Sequence, residues 1–210
     1  MELTITLTVG LIAGILMFCG DMLLYYDQND YVSDGTFNPI IEIMKNISTK
    51  RLYAGGLIGP IAAFLYCVGY YHIVLIFNNE IFILAMVCFL ILCMAIIIGG
   101  AYHSHCVYLG LIGKLDDEKT MDVVIKYFSF INKVCFIFQI IGLLMLFLSI
   151  ILGWTVLPRY FAVITPGILY LLLPLTKKLP KGIHIIICGG WSNLIFIIYY
   201  VVLLIYNLVK

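Results

Sequence analysis

Apolar residues run along this chain in six long blocks, at 3–26, 52–77, 81–112, 127–152, 160–176 and 183–208. The blocks show no sustained polar stripe, so helices built from them are apolar all round, as membrane-crossing helices are. At 1.5 Å of rise per residue, about 20 residues cross the hydrocarbon of a bilayer. The pattern therefore predicts an all-α, polytopic membrane protein with six transmembrane helices, forming a single bundle over residues 1–210. The third block is too long for one perpendicular helix, so it tilts, breaks at Gly99-Gly100 or extends past the membrane. The fifth is short and carries Pro166-Gly167 and Pro174, which predicts a kink.

Composition agrees with the blocks. The chain is 64% hydrophobic and 11% charged, with a mean hydropathy of +1.13. Soluble domains carry about 25% charged residues, so this much apolar surface needs lipid to cover it. A net charge of +1 without a basic stripe excludes a nucleic-acid partner. The 15 tyrosines and 13 phenylalanines cluster near block ends, as interfacial anchors do. Seven cysteines are scattered through apolar segments without a CxxC, which points to helix packing rather than disulfides or zinc. The first block lacks a basic leader and a small-residue cleavage site, and is read as a retained helix.

Lysine and arginine placement sets an orientation. Lys45, Lys50, Arg51, Lys114, Lys119, Lys126, Lys133, Lys177, Lys178 and Lys181 fall on the odd-numbered connections, against Arg159 and Lys210 on the other side. The asymmetry places the odd connections in the cytoplasm and both termini outside, in the plasma membrane. The longest connection, 27–50, starts with the turn-forming Asp27, Asn29, Asp30, Ser33, Asp34 and Gly35. Its second half, 40–46, alternates like a short interfacial helix. The segments Ile96–Gly100 and Ile185–Gly190 look alike but sit at different distances from their helix starts, so no inverted repeat is read from them.

One residue breaks the apolar pattern most sharply. Asp21 is an acid near the cytoplasmic end of the first block, where a carboxylate costs up to roughly 2.5–3.5 kcal/mol on insertion scales. At about the same height stand Arg51 and Tyr53, Gly99-Gly100 and His103, Asn132, Tyr170, Trp191 and Asn193. Every block thus brings a polar or very small residue to one slab. Arg51, at the cytoplasmic end of the next helix, is the expected partner of Asp21. Gly10/Gly14 and Gly55/Gly59/Ala63 have the small-xxx-small spacing of close helix contacts. The candidate ligand-binding residues are Asp21, Arg51, Tyr53, His103, Asn132, Tyr170, Trp191 and Asn193, with Asp21, Arg51, Asn132 and Asn193 as polar contacts and Trp191 and the tyrosines as walls.

Other chemistry is sparse. His103 and His105 point to opposite sides of a helix, His184 sits at the cytoplasmic surface, and His72 lies near the outer face. Asp21 with His103 and His184 or His105 is a conceivable zinc set, but no HxxxH or HExxH spacing supports it, and no metal or cofactor is expected. No GxSxG, Walker-type or GxGxxG motif is present.

Gly20-Asp21, Arg51 with Gly55-Gly56, Gly99-Gly100 with His103, and Gly189-Gly190-Trp191-Ser192-Asn193 together resemble an uncharacterised family of small bacterial six-helix membrane proteins. The resemblance covers nearly the whole chain and implies no activity. A fainter likeness is to polytopic membrane hydrolases of the alkaline ceramidase and lysoplasmalogenase type. The chain lacks their paired C-terminal histidines and their extra helix, so their chemistry is not carried over.

Three functional readings stand. The first is a non-enzymatic protein that binds or moves a lipid or small amphiphile in a cavity on the cytoplasmic side. The second is an intramembrane metal-dependent hydrolase using Asp21 and His103. The third is a structural or assembly subunit with a glycine-lined groove facing lipid. Membrane lipids, a small amphiphilic ligand and a second copy of the chain are the partners these readings call for.

Overall fold

A computed structural model describes residues 2–27 and 37–210. The turn-forming positions Asn29, Asp30, Ser33, Asp34 and Gly35 lie outside them. Five helical stretches are long and apolar enough to cross a membrane: Glu2–Tyr25, Thr49–Ile76, Asn79–Leu115, Glu118–Ile151 and Trp191–Val209. Their outward faces are apolar too. Leu57, Phe64 and Ile83 are 64%, 69% and 80% exposed, a surface that lipid covers and water does not. The described chain is a helical membrane protein.

The first crossing is α1 (Glu2–Tyr25), followed by the short α2 (Asn38–Asn46). Helix α2 falls where a short amphipathic helix was expected in the long connection. It buries Ile41, Ile43 and Met44 and turns Glu42 and Asn46 outward. The second crossing is α3 (Thr49–Tyr70), N-capped by the Ser48 hydroxyl and continued after Tyr71 by α4 (His72–Ile76). The third, α5 (Phe82–Leu115), runs unbroken through Gly99-Gly100, so of the alternatives the length left open, a break there is excluded. Its end is a left-handed Asp116, at φ 51°. The fourth, α6 (Glu118–Ile151), starts nine residues before the apolar block does, because the Asp117 carboxylate caps it by accepting from the Thr120 backbone N–H and hydroxyl.

Residues 160–176 do not form a single span. A 3-10 turn at Arg159–Ile164, α7 (Pro166–Tyr170) and a second 3-10 turn at Leu173–Lys178 follow one another. The prolines do more than kink this segment. Pro166 and Pro174 lack an N–H and fit only the first turn of a helix, so each starts a new piece. The last block is also divided, into α8 (Lys181–Gly189) and α9 (Trp191–Val209), with the joint at Gly190.

Neighbours pack antiparallel. Gly10 of α1 lies against Gly69 of α3, while Gly55 of α3 lies against Leu24 of α1. Helix α3 meets α5 where Gly59 faces His103 and Gly100, and α5 meets α6 where the Cys135 thiol points at the Ala95 carbonyl. These glycines are buried between helices of one chain, not in a groove facing lipid as the assembly reading requires. Helix α9 lies along α1, and the broken segment closes the ring between α6 and α9. Asn207 near the end of α9 donates to the Thr4 hydroxyl at 2.9 Å, so both ends of the described chain lie at one end of the bundle. At the opposite end, Lys45 of α2 pairs with Asp116, and Lys114 donates to the Lys45 and Ile47 carbonyls. The Asp116 carboxylate, by hydrogen bond and charge, raises the pKa of Lys45.

Candidate functional site

Asp21 sits one turn from the end of α1 and is 94% buried by its own helix neighbours and by α5 and α9 (6% exposed). One carboxylate oxygen accepts from His103 Nε2 at 3.2 Å. The other accepts from Asn193 Nδ2 at 2.7 Å. The Tyr66 hydroxyl donates in turn to Asn193 Oδ1 at 3.1 Å, which fixes which face of the amide meets Asp21. His103 Nδ1 is buried and has no partner. A side chain this size fits between α1, α3 and α5 only because its neighbours have none. A Cβ on Gly20 would stand 2.9 Å from His103 Cε1, and one on Gly59 would stand 2.6 Å from His103 Cβ.

This network forms one wall of a cavity of about 550 Å³. Its lining changes character along α1, α5 and α9. On α1 it passes from Tyr25 and Asp21 to Met17, and on α9 from Ser192 and Asn193 to Phe196. On α5 it passes from His103 and Tyr102 through Gly99 to Ile96, Ala95 and Leu92. Asn132 of α6 joins the polar end, and Tyr170 of α7 reaches it by a 3.1 Å hydrogen bond to Ser192. Phe37 and Ile40 bring the start of α2 to the same end. Tyr70 and Gln139 are the polar exceptions at the apolar end. The distance along α5 from His103 to Leu92 is roughly 16 Å at 1.5 Å per residue.

Five of the eight residues singled out from the sequence meet here: Asp21, His103, Asn132, Tyr170 and Asn193. Three do not. Arg51 is no partner of Asp21. Its guanidinium donates to the carbonyls of Met22, Leu23 and Tyr26 at the end of α1. Those carbonyls carry the negative end of the helix dipole, and that of Met22 also accepts a helical bond, from the Tyr26 N–H at 3.2 Å, so the helix end draws the cation past the carboxylate. Tyr53 lies off the buried stripe Leu52, Gly55, Gly56 and Gly59 and is 56% exposed. Trp191 follows the joint at Gly190 and packs on the apolar core, with its Nε1 buried and unpartnered.

The other histidines stay apart. His105 Nδ1 bonds the Ala101 carbonyl, and His72 bonds Gly69 O and the Tyr199 hydroxyl toward the other end of α3. Among the described residues no group of three His, Cys, Asp or Glu could hold a metal ion.

Sequence reasoning passed over Gln139, Ser192, Tyr25, Tyr102 and Tyr66. A signal for Gln139 and Tyr25 was present. Asn132, Cys135/Phe136 and Gln139 recur at i, i+3/i+4 and i+7, and Met17, Asp21 and Tyr25 at i, i+4 and i+8, so each set lies on one helix face.

The family model named "Family of unknown function (DUF6796)" matches residues 2–210. The chain belongs to that family. No curated protein and no solved structure matches it.

Proposed function

We propose that this protein holds a small amphiphile in the intramembrane cavity, with the polar head at Asp21, Asn132, Ser192 and Asn193 and the apolar part toward Met17, Leu92 and Phe196. The observation that carries this reading is the grading of the lining, repeated independently on α1, α5 and α9. A site of this size, mostly apolar with a few convergent polar groups at one end, fits a lipid-like molecule. The buried carboxylate supports it too, because intramembrane ionisable groups cost energy and face partners or cavities.

In this reading the chain crosses the plasma membrane six times, the fifth crossing being the broken segment. Backbone that is not continuous helix is tolerated at membrane depth where it is packed against protein or lines a cavity, as Tyr170 does. The polar end of the cavity then lies on the cytoplasmic side, with the lysine-rich turns, and both chain ends lie outside. A tag after Lys210 should react with an impermeant reagent in intact cells, and a tag in the Asp116-Asp117 turn should not; the reverse pattern inverts the orientation.

Native mass spectrometry of the protein released from nanodiscs tests the cavity. Gly99 lines it, and a Cβ there would make only an ordinary 3.5 Å contact with Cys135 Sγ, so Gly99→Phe fills space without a backbone clash. One amphiphile per wild-type chain, lost in folded Gly99→Phe, is the expected result. Equal retention of lipid by both proteins contradicts the reading.

A further inference from the structure

We infer that the amphiphile this cavity takes carries a positively charged, ammonium-type head, an inference that rests on the cavity reading above. Asp21 is the one Asp, Glu, Lys or Arg among the described residues lining the cavity. Arg51 is committed to the carbonyls of Met22, Leu23 and Tyr26 at the end of α1, and the imidazole of His103 is the basic group that touches Asp21, at 3.2 Å. Lys133, next to the lining Asn132, is exposed and outside the lining. Among the described residues Asp21 receives one donor on each oxygen, from an imidazole and an amide, whereas a carboxylate has room for about four. A buried acid with spare acceptor positions and no lysine or arginine beside it is costly unless a cation completes it.

The aromatic residues at the same end fit such a head. Tyr25 lies one turn beyond Asp21, Tyr102 precedes His103, and Phe37 and Tyr170 enclose the end from α2 and α7. Rings of this kind attract ammonium groups through their faces. An anionic head would meet the Asp21 carboxylate with no lysine or arginine to offset it. A neutral head would leave the carboxylate as it stands. The head is therefore read by charge, while the apolar far end accepts a hydrocarbon chain without specifying it.

The test is saturable binding of radiolabelled dodecylammonium, dodecanol and dodecyl sulfate to the protein in nanodiscs, with empty nanodiscs as the blank. Dodecylammonium is expected to bind about tenfold or more tighter than dodecanol, and dodecyl sulfate weakest. In Asp21→Asn the ammonium preference is expected to fall to about one while dodecanol binding persists. Equal affinity of the wild type for the ammonium and the alcohol, as when His103 supplies the counter-charge, overturns the inference and leaves the cavity reading intact. No saturable binding of any of the three overturns the cavity reading itself. The order of the three heads on the wild type decides the matter even where Asp21→Asn fails to fold.

Discussion

His103 Nε2 and the Asp21 carboxylate lie 3.2 Å apart although 82 residues separate them in the chain. Two helix crossings bring them together, and two glycines make the space. The pair sits in the cavity wall, not in the cytoplasmic ion pair that Arg51 and Asp21 suggested. That single difference turns a structural lock into a surface a ligand can meet.

Tyr66 holds the Asn193 amide in the orientation Asp21 needs. Tyr66→Phe removes one donor and leaves a buried carbonyl oxygen unpaired, at a cost of about 1 kcal/mol. Thermal unfolding in detergent should show that modest loss. Binding of the preferred amphiphile should weaken several-fold, since the amide is freed to turn. An unchanged affinity would mean that Asn193 is held by its backbone alone.

Gly59 is constrained more tightly than its sequence position suggests. A Cβ there would also stand 3.0 Å from the Gly100 carbonyl oxygen, which cannot move aside without shifting α5. Gly59→Val should cost about 1–3 kcal/mol by overpacking and should displace His103 from Asp21. Gly182→Ala is the control, because nothing lies within 4 Å of a Cβ at that position. Equal melting temperatures for the two variants would contradict the packing described.

Arg51 serves the end of α1. Arg51→Met strips donors from the last carbonyls of that helix and should lower stability on the order of 2 kcal/mol. The Asp21 site should survive, so the relative affinities for charged and neutral amphiphiles should not change in the folded fraction. A variant that loses the charge preference while keeping its stability would restore the Arg51–Asp21 pairing.

Asp117 gives the bundle a pH-sensitive cap. The Thr120 hydroxyl and then its backbone N–H, with the Lys119 N–H, hold the Asp117 pKa below the ordinary carboxylate range. A pKa lowered by folding contributes stability that is full above the unfolded value, about 3.9, and is lost as pH falls through the folded one. Asp117→Ala should therefore melt lower than wild type at pH 7. The gap should close as pH falls below about 4. A gap independent of pH would show that the cap does not depend on the charge.

Much of this was readable from residues alone. The length and apolarity of the blocks placed four crossings to within a few residues at most boundaries, and Ile40 to Asn46 read as a surface helix because its apolar positions recur on one face. Helix α6 began early because Asp117 caps outside the lipid, where hydropathy carries no signal. The 160–176 block is not one continuous helix, a division hydropathy misses because it does not count the N–H groups that Pro166 and Pro174 lack. At the site, depth along each helix was enough to collect Asp21, His103, Asn132, Tyr170 and Asn193. Depth does not give rotation about the helix axis, so Tyr53 and Trp191 were collected with them. Arg51 was assigned by charge alone, which overlooks that a helix end offers carbonyl acceptors, here three of them, to a guanidinium.

The most direct measurement is photolabelling with a dodecyl amphiphile carrying a diazirine at the chain end, followed by mapping of the adducts by mass spectrometry. The account predicts saturable adducts on Leu92, Ile96, Phe196 or Met17, abolished by Gly99→Phe. Adducts confined to lipid-facing residues such as Leu57, Phe64 and Ile83, and indifferent to that substitution, would contradict it.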